Sequence, residues 1–378
     1  MKRKIWLSSP HMGGTEHKYV QEAFDTNWIA PLGPNVSGFE KDIEEYIDED
    51  VKVACLVSGT SAIHLALILS GVGLNDEVIC QSMTFSASAN PIKYQGANPI
   101  FIDSEKDTWN MCPLALEIAI KDKIKKGKKP KAIIVVHLYG MPAKIDEILA
   151  ISKKYRIVLI EDAAEALGST YKGQKCGTFG DYGILSFNGN KIITTSGGGA
   201  LVCKTKEDKQ KAIFLATQAR DNAPHYQHTH IGYNYRMSNI VAGIGRGQME
   251  VLDKHIGFRR VNNKFYQEIF KNIEGITVFE EPTKEYFSNH WLSSIIVDES
   301  KTGFSREELR LSFLEDNIES RPLWKPMHLQ PIFKKYDYYG DNLAEELFND
   351  GLCLPSGSNL TDEDRERIKK SINKLITK

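Results

Sequence analysis

No two cysteines in this chain lie close enough in sequence to hold a metal or to staple a small fold. The six cysteines, Cys55, Cys80, Cys112, Cys176, Cys203 and Cys353, are scattered without a CxxC pair, which argues against a disulfide framework and a zinc site. An excess of either charge is also missing: 48 Lys plus Arg stand against 49 Asp plus Glu, a net charge of −1. Net charge therefore gives no reason to expect a nucleic-acid or membrane partner. No apolar run approaches the length of a membrane span, and the charged start "MKRKIWLSSPHMGG" is followed by no apolar signal core. A reducing cytoplasm is the expected location. Internal repeats and low-complexity linkers are absent as well. The basic run Lys121–Lys131 has no interleaved aromatics and reads as a solvated face. With neither GxxxxGK[ST] nor a GxGxxG turn after a strand, "TSGGGA" reads as backbone clearance, not as a nucleotide loop.

What the chain does have is 378 residues, 41% hydrophobic and 26% charged, ordinary for a globular protein of two domains. From Val51 to Cys203, short runs rich in Val, Ile and Leu alternate with helix-like stretches such as 114–125 and 144–154. Near-continuous apolar runs of this kind are strands buried on both faces, so a largely parallel sheet wrapped by helices is expected. In such sheets ligands bind beyond the carboxyl ends of the strands. Residues 240–273 predict one long helix, or two with a bend at Gly257. A strand in "NHWLSSIIVD" and helices at 305–317 and 362–376 follow. The expected division is a large unit, 1–250, and a smaller α/β unit, 251–378, with the amino-terminal segment packing on either.

Two residues stand out. Asp162 ends the run "RIVLIED", and Lys191 sits in the neutral, turn-rich "SFNGNKIITTSGGG". Alone, Asp162 reads more readily as a helix cap and Lys191 as a surface lysine. Together they fit pyridoxal phosphate, which needs a lysine for its aldehyde and a carboxylate to keep its pyridine nitrogen protonated. The turn "SGTSA" opens a helix where the backbone N–H groups of Thr60 and Ser61 face a phosphate. Ser186 adds a hydroxyl, and Phe85 is placed either to stack on the ring or to pack in the core. The absence of charge around Lys191 in sequence suits an amine that must be neutral for part of a cycle.

These residues, in this order, resemble the DegT/DnrJ/EryC1/StrS family of sugar aminotransferases, nearly end to end. The resemblance runs through "SGTSAIHLAL", "TFSASANPIKYQGANPIFID", "HLYGMPAKID", "LIEDAAEALGSTYKGQKCGTFGDYGILSFNGNKIITTSGGGAL" and "GYNYRMSNIVAGIGRGQMEVL". It implies the aspartate-aminotransferase (type I) fold, with a mixed, mostly parallel seven-stranded sheet in the large domain and a smaller carboxy-terminal α/β domain. By motif, Lys191 is the Schiff-base residue and Asp162 pairs with the pyridine nitrogen. Gly59, Thr60, Ser61 and Ser186 hold the phosphate, Phe85 stacks on the ring, and Glu165 faces the cofactor's hydroxyl edge. Asn234 reaches the phosphate of a neighbouring subunit, which implies a homodimer with shared sites. The substrate is assigned to Asn27, Trp28, Ile29, Ala30, Gly59, Ser186, Asn234, Arg321, Trp324, Lys325, Pro326, Met327 and His328; Arg321 and Trp324 serve equally well as interface anchors. "SPHMGG", "APLG" and "RPLWKPMH" look most like enzymes that aminate a UDP-linked 4-keto-2-acetamido-2,6-dideoxyhexose. In those the donor is L-glutamate, released as 2-oxoglutarate. Amination of a dTDP-linked or 3-keto sugar, or a non-catalytic regulatory role, is the alternative. No metal is implied.

Overall fold

The computed structural model describes residues 3–376. The outermost residues of the two expected units, 1–2 and 377–378, lie outside the described residues. Seven strands form the sheet expected from the apolar runs: β1 (Lys52–Leu56), β2 (Glu77–Gln81), β3 (Asn98–Ile102), β4 (Ala132–Val136), β5 (Val158–Asp162), β6 (Tyr182–Ser186) and β7 (Gly199–Cys203). Their spatial order is β1-β7-β6-β5-β4-β2-β3. From β3 across to β6 every pairing is parallel, while β7 runs antiparallel to both β6 and β1.

The crossovers are helical: α1 (Gly59–Leu69), α2 (Ser86–Tyr94), α3 (Pro113–Lys125) and α4 (Ile145–Tyr155). Alternation along each strand gives the sheet two apolar faces. Ile79, Ile133, Val135 and Leu159 pack with Leu116, Ala119, Ile145 and Ile148 of α3 and α4. On the opposite face Cys80, Phe101, Ile134 and Ile160 pack with Ala62, Leu65 and Ala66 of α1. At about 25 cal/mol per Å², each fully buried Leu or Ile contributes roughly 2 kcal/mol, so these two layers fix which strand ends converge.

The stretch 240–273 divides into α5 (Asn239–Met249) and α6 (Leu252–Phe270). The break therefore falls at Glu250 and Val251, not at Gly257. Gly257 lies inside α6 with open space around it, and a lone exposed helical glycine costs about 1 kcal/mol without forcing a bend. Leu252, fully buried, is where the chain re-enters the core.

Beyond α6 come β8 (Ile276–Val278), β9 (Ser293–Val297), β10 (Arg321–Pro322), β11 (Tyr338–Tyr339) and β12 (Gly351–Leu354). Four of them make an antiparallel sheet in the order β8-β9-β12-β10. The fifth, β11, adds to β3 as an eighth strand of the large sheet, one more than the seven expected, because two residues of Tyr-Tyr carry too little pattern to read as a strand. The amino-terminal segment joins the second sheet's side: Ile5 bridges to Ile318, and the Ser356 N–H donates to the Leu7 carbonyl.

Candidate active site

The carboxyl ends of β1, β5 and β6 open on one cavity of about 670 Å³. Gly59, Thr60, Phe85, Asp162, Glu165, Ser186, Lys191, Arg321 and Trp324 line it. Residues separated by up to 265 positions in sequence thus share one wall.

Asp162 is the last residue of β5 and is 5% exposed. Its neighbour Glu161 points to the other face of the sheet, as strand alternation requires. There it accepts from the N–H groups of Gly177, Phe179 and Gly180 and bonds His137. Asp162 Oδ2 accepts from Ser88 Oγ at 2.6 Å, and Oδ1 accepts from the Ala164 N–H at 3.2 Å. Ser88 Oγ also lies 2.6 Å from Thr84 Oγ1. Because the single hydroxyl proton of Ser88 goes to the carboxylate, Thr84 must be the donor in that second bond. Two hydroxyls, four residues apart at the start of α2, are thereby polarised toward Asp162.

Lys191 lies in the connection between β6 and β7. Its side chain is 12% exposed, with Nζ 3.3 Å from Glu165 Oε1 and 4.2 Å from the centre of the Trp291 ring. The charge-free surroundings expected of this amine are therefore not what the fold supplies. Glu165, from the turn after β5, is distant in sequence and adjacent in space. Its other oxygen, Oε2, accepts from the Tyr139 N–H at 2.8 Å. Tyr139 adopts the left-handed conformation (φ 55°), and its hydroxyl accepts from the Trp324 N–H at 3.0 Å.

Burial raises the Glu165 carboxyl to about 7, with Lys191 opposing the rise. A raised carboxyl favours the folded state at low pH. The stability it contributes is complete below its ordinary value of 4.5 and is lost as the pH rises through about 7. Glu165→Gln should flatten that dependence: between about pH 5 and 7.5 the melting temperature of the cofactor-free variant falls less than that of the wild type. Parallel profiles from calorimetry would contradict the assignment.

Opposite Asp162, α1 begins. Its cap Ser58 accepts from the Ser61 N–H at 3.0 Å and bonds the Ser61 hydroxyl at 2.8 Å. The Ser61 N–H, expected to face the phosphate, is engaged by that cap, and Ser61 does not line the cavity. Gly59 and Thr60 do, and as first-turn residues their N–H groups have no acceptor within the helix. A Cβ on Gly59 would stand 3.3 Å from the Ser186 Cβ, so the Ser186 hydroxyl sits beside this helix end. The glycine run behaves as clearance: a Cβ on Gly199 would lie 2.3 Å from the Gly59 nitrogen.

Phe85 is 56% exposed, with its ring 5.7 Å from that of Trp324. Arg321 pairs with Glu319 at 2.8 Å. The rest of the expected substrate set is not brought to this cavity by the single chain. Asn27, Trp28, Ile29 and Asn234 are exposed elsewhere, and Ala30 uses its carbonyl to accept from the Asn239 N–H. Lys325 points to solvent, and Pro326 and Met327 are buried, the latter in the core of the large sheet. His328 is tied to Ser82 and Glu345 and stacks on Tyr338. Sequence reading missed Ser8, Ser88, Asn188, Asn190, Trp291 and Glu319. Only Ser88, four residues after Thr84 at a strand end, left a local signal.

The donor set suits pyridoxal phosphate. An amine, a buried carboxylate held by two donors, an open helix N-terminus with an adjacent hydroxyl, and an exposed aromatic ring face one space. Among the described residues no cluster of side chains suited to a metal ion occurs, and no helix is long and apolar enough to cross a membrane.

The chain is similar to known proteins over nearly its whole length. EpsN of Bacillus subtilis (strain 168), named as a pyridoxal phosphate-dependent aminotransferase, is 50% identical over 373 residues, covering 97% of this chain and 95% of its own. A GDP-perosamine synthase of Escherichia coli O157:H7 is 39% identical over 374 residues, 99% of each chain. Among solved structures, the sugar aminotransferase Spr1654 of Streptococcus pneumoniae in its PLP form superposes with a TM-score of 0.89 at 27% identity, over 99% of each chain. Residues 10–373 match the DegT/DnrJ/EryC1/StrS aminotransferase family, and the chain belongs to that family of pyridoxal phosphate-dependent sugar aminotransferases.

Proposed function

We propose that the protein transfers the amino group of L-glutamate to a UDP-linked 4-keto-2-acetamido-2,6-dideoxyhexose, with Lys191 as the amine that joins the cofactor. The observation that carries this reading is the placement of Lys191 Nζ, paired with buried Glu165, in one cavity with Asp162 and the start of α1. Pyridoxal phosphate, when bound, supplies an aldehyde that exchanges amino groups and a ring that draws electrons from the reacting carbon. Gly59, Thr60 and Ser186 hold its phosphate, Asp162 its ring nitrogen, and Phe85 one face of the ring.

In the donor half of the reaction Lys191 Nζ takes the proton from the α-carbon of glutamate. With pyridoxal phosphate bound, that proton would pass to the cofactor within the same half, and in the acceptor half the amine would carry one from the cofactor to C4 of the sugar. Glu165 Oε1 accepts a hydrogen bond from the amine while it carries a proton within each half, and the rings of Trp291 and Trp324 keep water from it. Arg321, largely exposed at the rim, offers a cation to the diphosphate. Residues 1–250 carry the cofactor site and 251–378 cover it. Asn27–Ile29 and Asn234, exposed, and half-buried Ala30, all away from this cavity, serve the site of a second copy in a homodimer, where Phe24, Trp28, Ile29 and Leu32 leave apolar surface to bury.

UDP as the nucleotide is supported by "SPHMGG", "APLG" and "RPLWKPMH". The E. coli relative favours a second reading, a GDP-linked sugar. Turnover of UDP-, GDP- and dTDP-linked 4-keto sugars with glutamate decides: the UDP substrate should lead in kcat/KM by about tenfold or more. No amination of it would end the proposal, and a lead for the GDP sugar would replace it with the second reading.

A further inference from the structure

The largest fully buried side chain in the protein is that of Arg259, on α6, at 1% exposure. A guanidinium in a core is normally matched by a carboxylate, since desolvating an unpaired charge costs more than packing returns. Among the described residues Arg259 has no such match. Its terminal nitrogens donate to the carbonyls of Trp291 and Lys191, the latter at 3.3 Å, and to Ser8 Oγ at 3.0 Å. Nε has no hydrogen-bond partner among the described residues. Burial alone pushes the group down to about 9. A costly, rule-breaking residue of this kind is where function is to be sought.

Its partners say what it does. The turn that carries Lys191 is closed by its own backbone bonds, from the Lys191 N–H to the Asn188 carbonyl and from the Thr195 N–H to the Phe187 carbonyl, while the carbonyls of Asn190 and Lys191 are held by side chains from outside. The Asn190 carbonyl accepts from Ser8 Oγ and from Trp291 Nε1, both at 2.7 Å. The next carbonyl, that of Lys191, accepts from Arg259. One planar guanidinium therefore ties the backbone of Lys191 to that of Trp291, whose ring lies against the amine. We propose that Arg259 is a positioning residue for Lys191, locking the lysine turn and Trp291 together so that Nζ is held between that ring and Glu165. It touches neither cofactor nor substrate and acts through Lys191, so this inference rests on Lys191 being the cofactor-binding amine.

The test uses full-length protein freed of cofactor and titrated with pyridoxal phosphate. Affinity, the visible band at saturation, and the rate and site of borohydride trapping are read alongside the melting temperature. Arg259→Met should weaken cofactor binding about 100-fold, the scale of a misplaced reacting group. It should also slow trapping and change the saturated band. Arg259→Lys, which restores one donor, and Ser8→Ala, which removes a shared anchor, should fall about tenfold below the wild type. A merely structural role would lower the melting temperature and leave the saturated band and trapping rate unchanged, and that result overturns the proposal. Should Arg259→Met fail to fold, Arg259→Lys and Ser8→Ala decide by the same readouts, wild-type behaviour in both overturning it. Trapping of the wild type at a lysine other than Lys191 would instead overturn the underlying assignment, and this inference with it.

Discussion

Lys191→Ala gives a protein that folds, shows none of the visible absorbance of lysine-bound cofactor, and turns over at least about 10⁴-fold more slowly than the wild type. The loss should be complete because nothing can substitute. Among the described residues lining the cavity, Lys191 is the only lysine. The variant should fold because of the way its partner is built. Removing one member of a buried ion pair commonly costs about 3–5 kcal/mol, since the other charge is stranded. Here the stranded group is Glu165, which burial already raises to about 7 with the lysine in place. Without Lys191 that opposing influence is gone, and the carboxyl takes up a proton near neutral pH instead of remaining a bare charge. Absorbance spectra, steady-state rates and calorimetry on one preparation check all three statements. A variant that keeps the visible band, or more than about one hundredth of the rate, removes Lys191 from its role.

The large sheet was legible because its strands are buried on both faces, so each appears as an unbroken run such as "AIIVV" or "VLIED" whose polar end marks the site. Asp162 and the α1 turn could be found by that rule. Lys191 could be found as an amine in a neutral turn, but its environment could not. Glu165 comes from a different turn, Trp291 from the segment leading into β9 and Arg259 from the middle of a long helix. In sequence, Arg259 is one basic residue of an amphipathic pattern, "DKHIGFRRVNNKF", and only packing distinguishes it from its exposed neighbours. The misplaced helix break has a related cause. A glycine is a visible mark and the re-entry of Leu252 into the core is not. The same limit applies to Asn234 and Asn27–Ala30, whose proposed roles depend on a second chain and leave no trace in the cavity of one.

Asp162→Asn separates the charge of this carboxylate from its shape, and it is expected to lower the rate of the glutamate half-reaction by about 10³-fold while cofactor still binds. The amide fills the same space at the end of β5, and its oxygen can still accept from the Ala164 N–H or from Ser88. What it lacks is the negative charge that, in the role proposed for Asp162, keeps the pyridine nitrogen protonated and the ring able to draw electrons. Loss of one preorganised electrostatic contact in a closed site is worth about 10²–10³ in rate, and in this site the contact acts on the group that does the chemistry. Ser88→Ala provides the graded comparison. It removes the donor to Oδ2 and strands Thr84 Oγ1, but leaves the charge, so a loss of about tenfold is expected, the size of one charge-assisted hydrogen bond of about 1.5 kcal/mol. Single-turnover decay of the visible band on mixing with glutamate measures both variants without the sugar substrate. An Asp162→Asn protein within tenfold of the wild type would mean that the carboxylate only holds the turn after β5. In that case Ser88→Ala, which disturbs the same turn, should match it. A carboxylate that acts through its charge instead requires the two variants to differ by roughly the factor of 100 that separates a lost charge from a lost hydrogen bond.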